Sequence, residues 1–255
     1  MIAHIFRADA TNVGDWHCAP KLYFDLGDQS ALDILDNPAL PFGSNVIVGG
    51  GGLIARTFAP MIEALVQQRP KLRSLVAWGV GESLNVDRLG GLVAPWSAPL
   101  PGYLEQFDLV GMRDYGTQYP WVPCASCMHD LFDRPYEIEH PVVIYEHKRI
   151  PIAISGPPRR NNAGSDLAAV LAFLGSGDLV ITNSYHGAYW ATLLGRRVVA
   201  IPNMSKLYRL KHAPVIARPD QWLRYAPSAK IYPEALDECR AANRAFHARV
   251  REFVD

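Results

Sequence analysis

Short β-branched runs alternate with longer amphipathic segments along this chain, the pattern of an α/β protein built on parallel sheet. Asn45–Val48 reads as a strand that runs into four glycines, Gly49 to Gly52. Leu53 to Arg69 follows with Leu53, Phe58, Ile62, Leu65 and Val66 on one face, so a helix is expected directly after the glycines. Ser74–Trp78 reads as a strand ending at Gly79 and Gly81, and Leu109–Met112 as another short one. A second series opens at Val142–Tyr145. It continues through a helix from Asp166 to Leu174, a strand at Leu179–Thr182, a helix from His186 to Leu194 and a strand at Val198–Ile201. Pro233 to Val254 carries Leu236, Ala242, Phe246, Val250 and Phe253 at roughly helical spacing and predicts a long closing helix. Asp25 to Phe42 is acidic and turn-rich, and reads as a helix and loop on the surface.

Residues 119–141 differ from the rest. Pro120, Pro123, Pro135 and Pro141 fall among them, with Cys124 and Cys127 between, and few regular elements survive that proline density. This stretch reads as a crossover between two α/β lobes, residues 1–138 and 139–255.

Composition narrows the partners. The chain has 255 residues, 49% of them hydrophobic and 20% charged, enough to bury a real core. Its 25 basic and 25 acidic residues cancel, which leaves no basic footprint for nucleic acid. An anionic ligand must therefore be met by local charge. The start of the chain lacks the pattern of a secretory leader, and no run of about 18 apolar residues would span a bilayer. Four cysteines are too few for a disulfide framework, so the cytosol is the expected compartment.

Ligands of open parallel sheets bind beyond the carboxyl ends of the strands. That rule selects Asn12-Val-Gly-Asp15, Gly49 to Gly52, Arg113-Asp114, and Thr182 to Gly187. Each is expected at or near a helix start, where unpaired N–H groups and the helix dipole favour anions. Asp15 reads as a helix cap or as an acid facing a ligand. The glycine run, with Gly50 and Gly51 at its centre, permits close backbone approach to a ligand or merely turns the chain. It matches neither a dinucleotide fingerprint nor a Walker A loop. Arg113 reads as a fork for phosphate or carboxylate, or as half of a surface ion pair with Asp114. His186 is a capping or core histidine, or, with an anion facing it, a charge-assisted donor and general acid.

Taken in order, these motifs, with Ser184-x-His186-Gly187 leading into Leu194-Gly-Arg-Arg-Val-Val-Ala-Ile-Pro202, resemble the polysaccharide pyruvyl transferase family. The resemblance runs from Asn12 to Pro202, and its C-terminal motif is the most specific part. It implies two Rossmann-like lobes arranged as in GT-B glycosyltransferases, with the site between them. The implied activity is transfer of a pyruvyl group from phosphoenolpyruvate to a sugar of a surface or exported polysaccharide, closing a pyruvate ketal. No cofactor is implied, since phosphoenolpyruvate is the donor substrate. Carried over by position, Asp15, Arg113 and His186 hold the catalytic places, and Asn12, Gly50, Gly51, Ser184 and Gly187 flank them as substrate-binding positions. Arg113→Ala and His186→Ala are each expected to abolish turnover while leaving the fold intact. A lipid-linked acceptor would bring the protein to the inner face of a membrane.

Many members of the family carry arginine two residues before the histidine where this chain has Ser184, and the Ser-x-His-Gly form also occurs among them. Lys206, Arg209 and Lys211 follow the Val198–Ile201 strand and are the replacements considered, Lys206 and Arg209 foremost; solvated surface charge is the plainer reading. Two other functions stay open. One is a transferase using a nucleotide sugar, for which Glu146 after the Val142–Tyr145 strand is a ribose-binding candidate. The other is a non-catalytic carbohydrate-binding or assembly protein. Cys124-x-x-Cys127 would need two further ligands, such as His129, or His17 and Cys18, to hold zinc; otherwise these are ordinary thiols. Trp16, Trp78, Trp96, Trp121, Trp190 and Trp222 offer rings for sugar stacking or for the core.

Overall fold

The computed structural model of the chain describes residues 1–84 and 100–254. Two sheets carry the fold. The first contains β1 (Ile2–Phe6), β2 (Gln29–Asp33), β3 (Asn45–Val48), β4 (Gly51–Ile54), β5 (Ser74–Glu82) and β6 (Leu109–Met112), with every pairing parallel. β5 pairs with β3 along Ser74–Ala77, with β4 further on at Val80 and Glu82, and with β6; β1 lies beyond β3, and β2 beyond β1. The second sheet contains β7 (His140–Glu146), β8 (Arg159–Asn161), β9 (Gly177–Thr182), β10 (Arg197–Ala200) and β11 (Val215–Ile216). Its order is β11-β10-β9-β7-β8, again parallel throughout. The architecture is α/β with two parallel sheets, compatible with two Rossmann-like lobes.

Parallel strands are covered on both faces, and the side chains sort accordingly. Along β5, Leu75 and Ala77 pack with Val46, Val48, Ile62 and Leu65, the last two from helix α2 (Ala59–Gln67). Val76 and Trp78 point the other way, into a cluster with Ile2, Ile47, Phe246, Val250 and Val254. The same period of two divides the second sheet. Val143, Tyr145 and Val180 meet helices α3 (Leu167–Gly175) and α4 (Tyr185–Leu193), whereas Ile144, Leu179, Ile181 and Val199 face Ile152, Ala217 and Ala229. Two four-residue helices also occur among the described residues, α1 (Val13–Trp16) after β1 and α5 (Trp222–Tyr225) after β11.

The closing helix, α6 (Ala235–Val254), spans both cores. Ala235 and Cys239 pack with α3 and α4, while Phe246, Val250 and Val254 cover the first sheet. Between those groups lies Asn243, fully buried and fully bonded. It accepts from Trp78 Nε1 at 3.0 Å and donates to the carbonyls of Pro123 (3.2 Å) and Cys239 (3.0 Å). Arg240 adds bonds to Cys127 O and Asp133, so the crossover is pinned beneath the helix. The crossover itself holds only two 3-10 turns, Ala125–Met128 and Asp130–Asp133, as its prolines predict.

Three expectations are corrected. The helix after the glycines begins at Ala59, and Leu53 and Ile54 belong to β4. Those two side chains are buried in the sheet core, and strand pairing with β5 outweighs their fit to a helical face. β5 continues through Gly79 and Gly81 to Glu82, because these positions leave room for Val122 and Pro123 O beside Gly79 and for the Arg113 side chain beside Gly81. Gln29–Asp33 forms strand β2 on β1, and Ile34 beyond it is buried, where a surface helix and loop was expected.

His4 at the middle of β1 gives a measurable acid response. It is fully buried between Ala31 and Ile47, and neither ring nitrogen has a hydrogen bond among the described residues. Burial lowers its pKa to about 4, with the nearby Gln29 side chain opposing that shift and Lys21 adding to it. A neutral native histidine with a lowered pKa contributes stability that is present above about pH 6.5. That stability is lost as pH falls toward 4, because the unfolded chain binds the proton first. The expected loss is about 3 kcal/mol over that interval. Urea unfolding from pH 7 to 4 should show this loss, and His4→Leu should flatten it.

Candidate active site

The carboxyl ends of both sheets open onto one cavity of about 200 Å³. Arg7, Asn12 and Asp15 follow β1, Ser83 follows β5, and Arg113 follows β6. From the second sheet come His147 after β7, Asn162 after β8, Ser184 and His186 after β9, and Met204 and Lys206 after β10. Gly51, Gly52 and Leu53 of β4, with Phe58 and Tyr185, line the rest. The four places selected by the strand-end rule therefore meet at a single site.

Loops that follow the two sheets are tied together at its rim. Asn162 O accepts from Val13 N at 3.2 Å, and Asn162 Nδ2 donates to Asn12 Oδ1 at 3.1 Å. Lys148 Nζ donates to Thr11 O and Oγ1, both at 2.7 Å. Asn12 also caps the helix Val13–Trp16 by accepting from Gly14 N. Asn12 thus takes the capping place considered for Asp15, and Asp15 sits within the first turn, accepting from Asn12 Nδ2 at 2.7 Å.

Arg113 and Asp114 are 2% and 1% exposed, so the surface ion-pair reading is overturned. The guanidinium lies 4.1 Å from the Tyr185 ring centroid, donates to Glu82 O at 3.2 Å and sits 3.6 Å from Asp114 Oδ1. Asp114 Oδ2 accepts from Glu82 N at 2.6 Å. Gly81 lies under this group: a Cβ there would fall 2.3 Å from Arg113 Nε.

Lys206 lies in a short 3-10 turn after β10 and reaches the cavity. Its ammonium makes no hydrogen bond or ion pair within 4 Å among the described residues, and burial, then Arg113, lower its pKa to about 8. Asp15 works against that shift. Asp15 itself is raised, chiefly by burial, with Lys206 and Arg113 opposing.

Ser184 caps α4, its Oγ accepting from Gly187 N at 3.3 Å. His186, in the first turn, is buried with its ring 4.9 Å from that of Trp190. Its Nε2 contacts Cys124 Sγ at 3.5 Å, and its Nδ1 lies against Gly14, where an added Cβ would be 2.1 Å away. Burial, then Arg113 and Lys206, push its pKa well below the ordinary value. The imidazole is therefore held neutral near pH 7.

Three expected binding positions line no part of the cavity. Gly50 packs against Cys18 O, where an added Cβ would be 2.7 Å away, and Gly187 packs on Thr182 and Tyr145 to seat α4 on its sheet. Arg209 acts instead near Glu82 and Asp114, whose pKa values burial raises, and it opposes that rise in both. Lys211 pairs with Glu238 at 2.7 Å and stacks over Trp121, away from the cavity wall. Of the tryptophans, Trp78 and Trp190 are core, Trp16 is exposed, and Trp96 lies outside the described residues.

Arg7, His147 and Asn162 were not singled out in the sequence. Each stands one residue beyond a strand end: β1 was given no bounds from the sequence, and β7 runs one residue past the Val142–Tyr145 expected, so that Glu146 took the place His147 holds. β8 is three residues of Arg-Arg-Asn and carries no apolar signal, so Asn162 had none to follow. Among the described residues, no group of three or more histidine, cysteine, aspartate or glutamate side chains converges to hold a metal ion. No described helix is long and apolar enough to cross a membrane.

No protein-family model matches the chain, and no curated protein matches it. Among solved structures it is similar to a functional uncharacterized protein, KP1_0663, from Klebsiella pneumoniae subsp. pneumoniae NTUH-K2044. The two share 15% identity over 79% of this chain and 83% of that one, with a TM-score of 0.47, a likeness too distant to carry an argument.

Proposed function

We propose that this protein transfers the pyruvyl group of phosphoenolpyruvate to a sugar, on two lobes arranged as in GT-B transferases. The observation that carries the reading is the small cavity where Arg113 and Lys206 meet His186 and Asp15. Two cations and a neutral histidine suit a donor that bears both phosphate and carboxylate. Its volume is below the 300–1,000 Å³ or so typical of drug-sized ligands, which favours a compact anion over a nucleotide sugar. Glu146, the ribose-binding candidate, accepts from Ile152 N and pairs with Arg159, and does not line the cavity.

The chemistry follows from the groups present. Arg113 and Lys206 hold the dianion, and its charge raises the pKa of His186 until the imidazole takes a proton. His186 gives that proton to the methylene carbon, which leaves an oxocarbenium-like centre at the carbon bearing the phosphate. A sugar hydroxyl attacks that centre as Asp15 accepts its proton; the raised pKa of Asp15 suits this role. Phosphate leaves with the electron pair of the C–O bond. A second hydroxyl closes the ketal and its proton goes to the departing phosphate. A lipid-linked acceptor at the inner face of a membrane belongs to the same proposal.

Incubation with phosphoenolpyruvate and a panel of sugars tests this by proton NMR. Ketal methyl resonances should appear in step with inorganic phosphate. Phosphate without a methyl product would make the protein a hydrolase and contradict the reading. Gly14→Ala should lower transfer by about 10²-fold or more, since its Cβ would displace the His186 ring. Steady-state kinetics checks this, with circular dichroism to show that the variant is folded.

A further inference from the structure

The crossover cysteines take no part in the chemistry above, yet Cys124 touches its central residue. Cys124 Sγ lies 3.5 Å from His186 Nε2 and 3.2 Å from Ser126 Oγ. Ser126 Oγ accepts a hydrogen bond from Trp190 Nε1 at 2.9 Å. Cys124, Ser126 and Trp190 are fully buried, and Tyr189 Oη anchors the backbone by donating to Cys124 O at 2.9 Å. A chain of four side chains therefore runs from Trp190 through Ser126 and Cys124 to His186.

Counting hydrogens gives the chain a direction. An indole N–H only donates, so Ser126 Oγ is an acceptor at that end. Its own hydrogen then needs an acceptor away from solvent, and Cys124 Sγ is the one provided among the described residues. The thiol hydrogen is left for His186 Nε2. With Nε2–H donating to sulfur, either sulfur donates to Ser126 and strands the serine hydrogen, or Ser126 also donates to sulfur and strands the thiol hydrogen in the core. Leaving a buried donor without a partner costs about 1–3 kcal/mol. Burial also pushes the Cys124 thiol up, so its hydrogen stays in place at neutral pH.

We infer that Cys124 is a positioning residue that holds neutral His186 in the tautomer with its proton on Nδ1, facing the Asn12–Asp15 turn. A donor is thereby presented toward the cavity wall before the imidazole takes a second proton. That consequence rests on reading the cavity as an anion site, whereas the tautomer itself follows from the hydrogen-bond chain alone. The second proton enters at Nε2, and only when the thiol turns away from it.

Long-range ¹H–¹⁵N correlation of the imidazole rings in the labelled, ligand-free full chain tests the inference at neutral pH. His186 is identified by its contacts with the Trp190 ring and by its absence in His186→Gln. The expected spectrum has Nε2 unprotonated and Nδ1 protonated, the Nδ1–H form dominating by about tenfold or more. Cys124→Ser, which keeps a donor, should retain that form, and Cys124→Ala should lose the preference. An Nε2–H form in the unmodified chain, or an unchanged ring in Cys124→Ala, would overturn the inference. Neither phosphoenolpyruvate nor turnover is needed, so an Nδ1–H ring in a protein that transfers no pyruvyl group upholds the tautomer and sinks only the pyruvyl reading.

Discussion

Arg113→Ala is expected to remove detectable phosphoenolpyruvate binding and to destabilise the protein by about 3–5 kcal/mol. The guanidinium is the fork of the proposed donor site, and it is also the counter-charge of a buried carboxylate. Asp114 is 1% exposed, and its Oδ1 has no hydrogen bond among the described residues besides the ion-pair contact to Arg113. Truncation removes that partner, the stacking on Tyr185 and the bond to Glu82 O together. Asp114, already raised by burial, would take up a proton, so part of the loss should be recovered below neutral pH. The fold therefore does not pass through this substitution untouched, contrary to the expectation from sequence. Arg113→Lys keeps the charge without the fork, and should lie between the two in stability while still binding poorly. Urea unfolding across pH with calorimetry on each variant measures both effects. A variant as stable as the parent that still binds would remove Arg113 from the site.

His186→Gln is expected to lower transfer by about 10²- to 10⁴-fold while phosphoenolpyruvate binding persists. In the free protein the imidazole is neutral, because burial and the nearby cations hold its pKa far down. A dianion in the cavity reverses the balance of charge, so binding should draw a proton from solution. Apparent affinity then falls as pH rises through the pKa of His186 in the complex. Calorimetry in two buffers of different ionisation enthalpy reads that proton directly. The buffer dependence should be present in the parent and absent in His186→Gln. Equal heats in both buffers for the parent would mean that His186 does not charge on binding.

Much of the scaffold was legible because apolar runs in parallel strands are continuous and their ends are marked by polar residues. Leu179–Thr182 followed by Asn183-Ser184 is such a case, and so is Leu109–Met112 followed by Arg113. The misread segments are those where long-range pairing overrides local pattern. Leu53 and Ile54 fit a helical face, but β5 offers a strand edge that their own neighbourhood does not reveal. Gln29–Asp33 has little apolar pattern and becomes a strand through its register with β1. At the site, position relative to a strand end placed Asp15, Arg113, Ser184 and His186 at the cavity without showing their depth. Lys206 and Arg209 looked equivalent along the chain, three residues apart, yet only the first reaches the wall. Contact between Cys124 and His186 joins residues 62 apart in sequence, and no local signal announces it.

The central claim is that this cavity is built for a small dianion carrying phosphate and carboxylate. Titration calorimetry of the full chain with phosphoenolpyruvate, beside a panel of nucleotide sugars, tests it most directly. The account predicts saturable heat with phosphoenolpyruvate, weakened by Arg113→Lys, and none with the nucleotide sugars. No heat with phosphoenolpyruvate, with or without sugar acceptors, or saturable binding of a nucleotide sugar in its place, would contradict it.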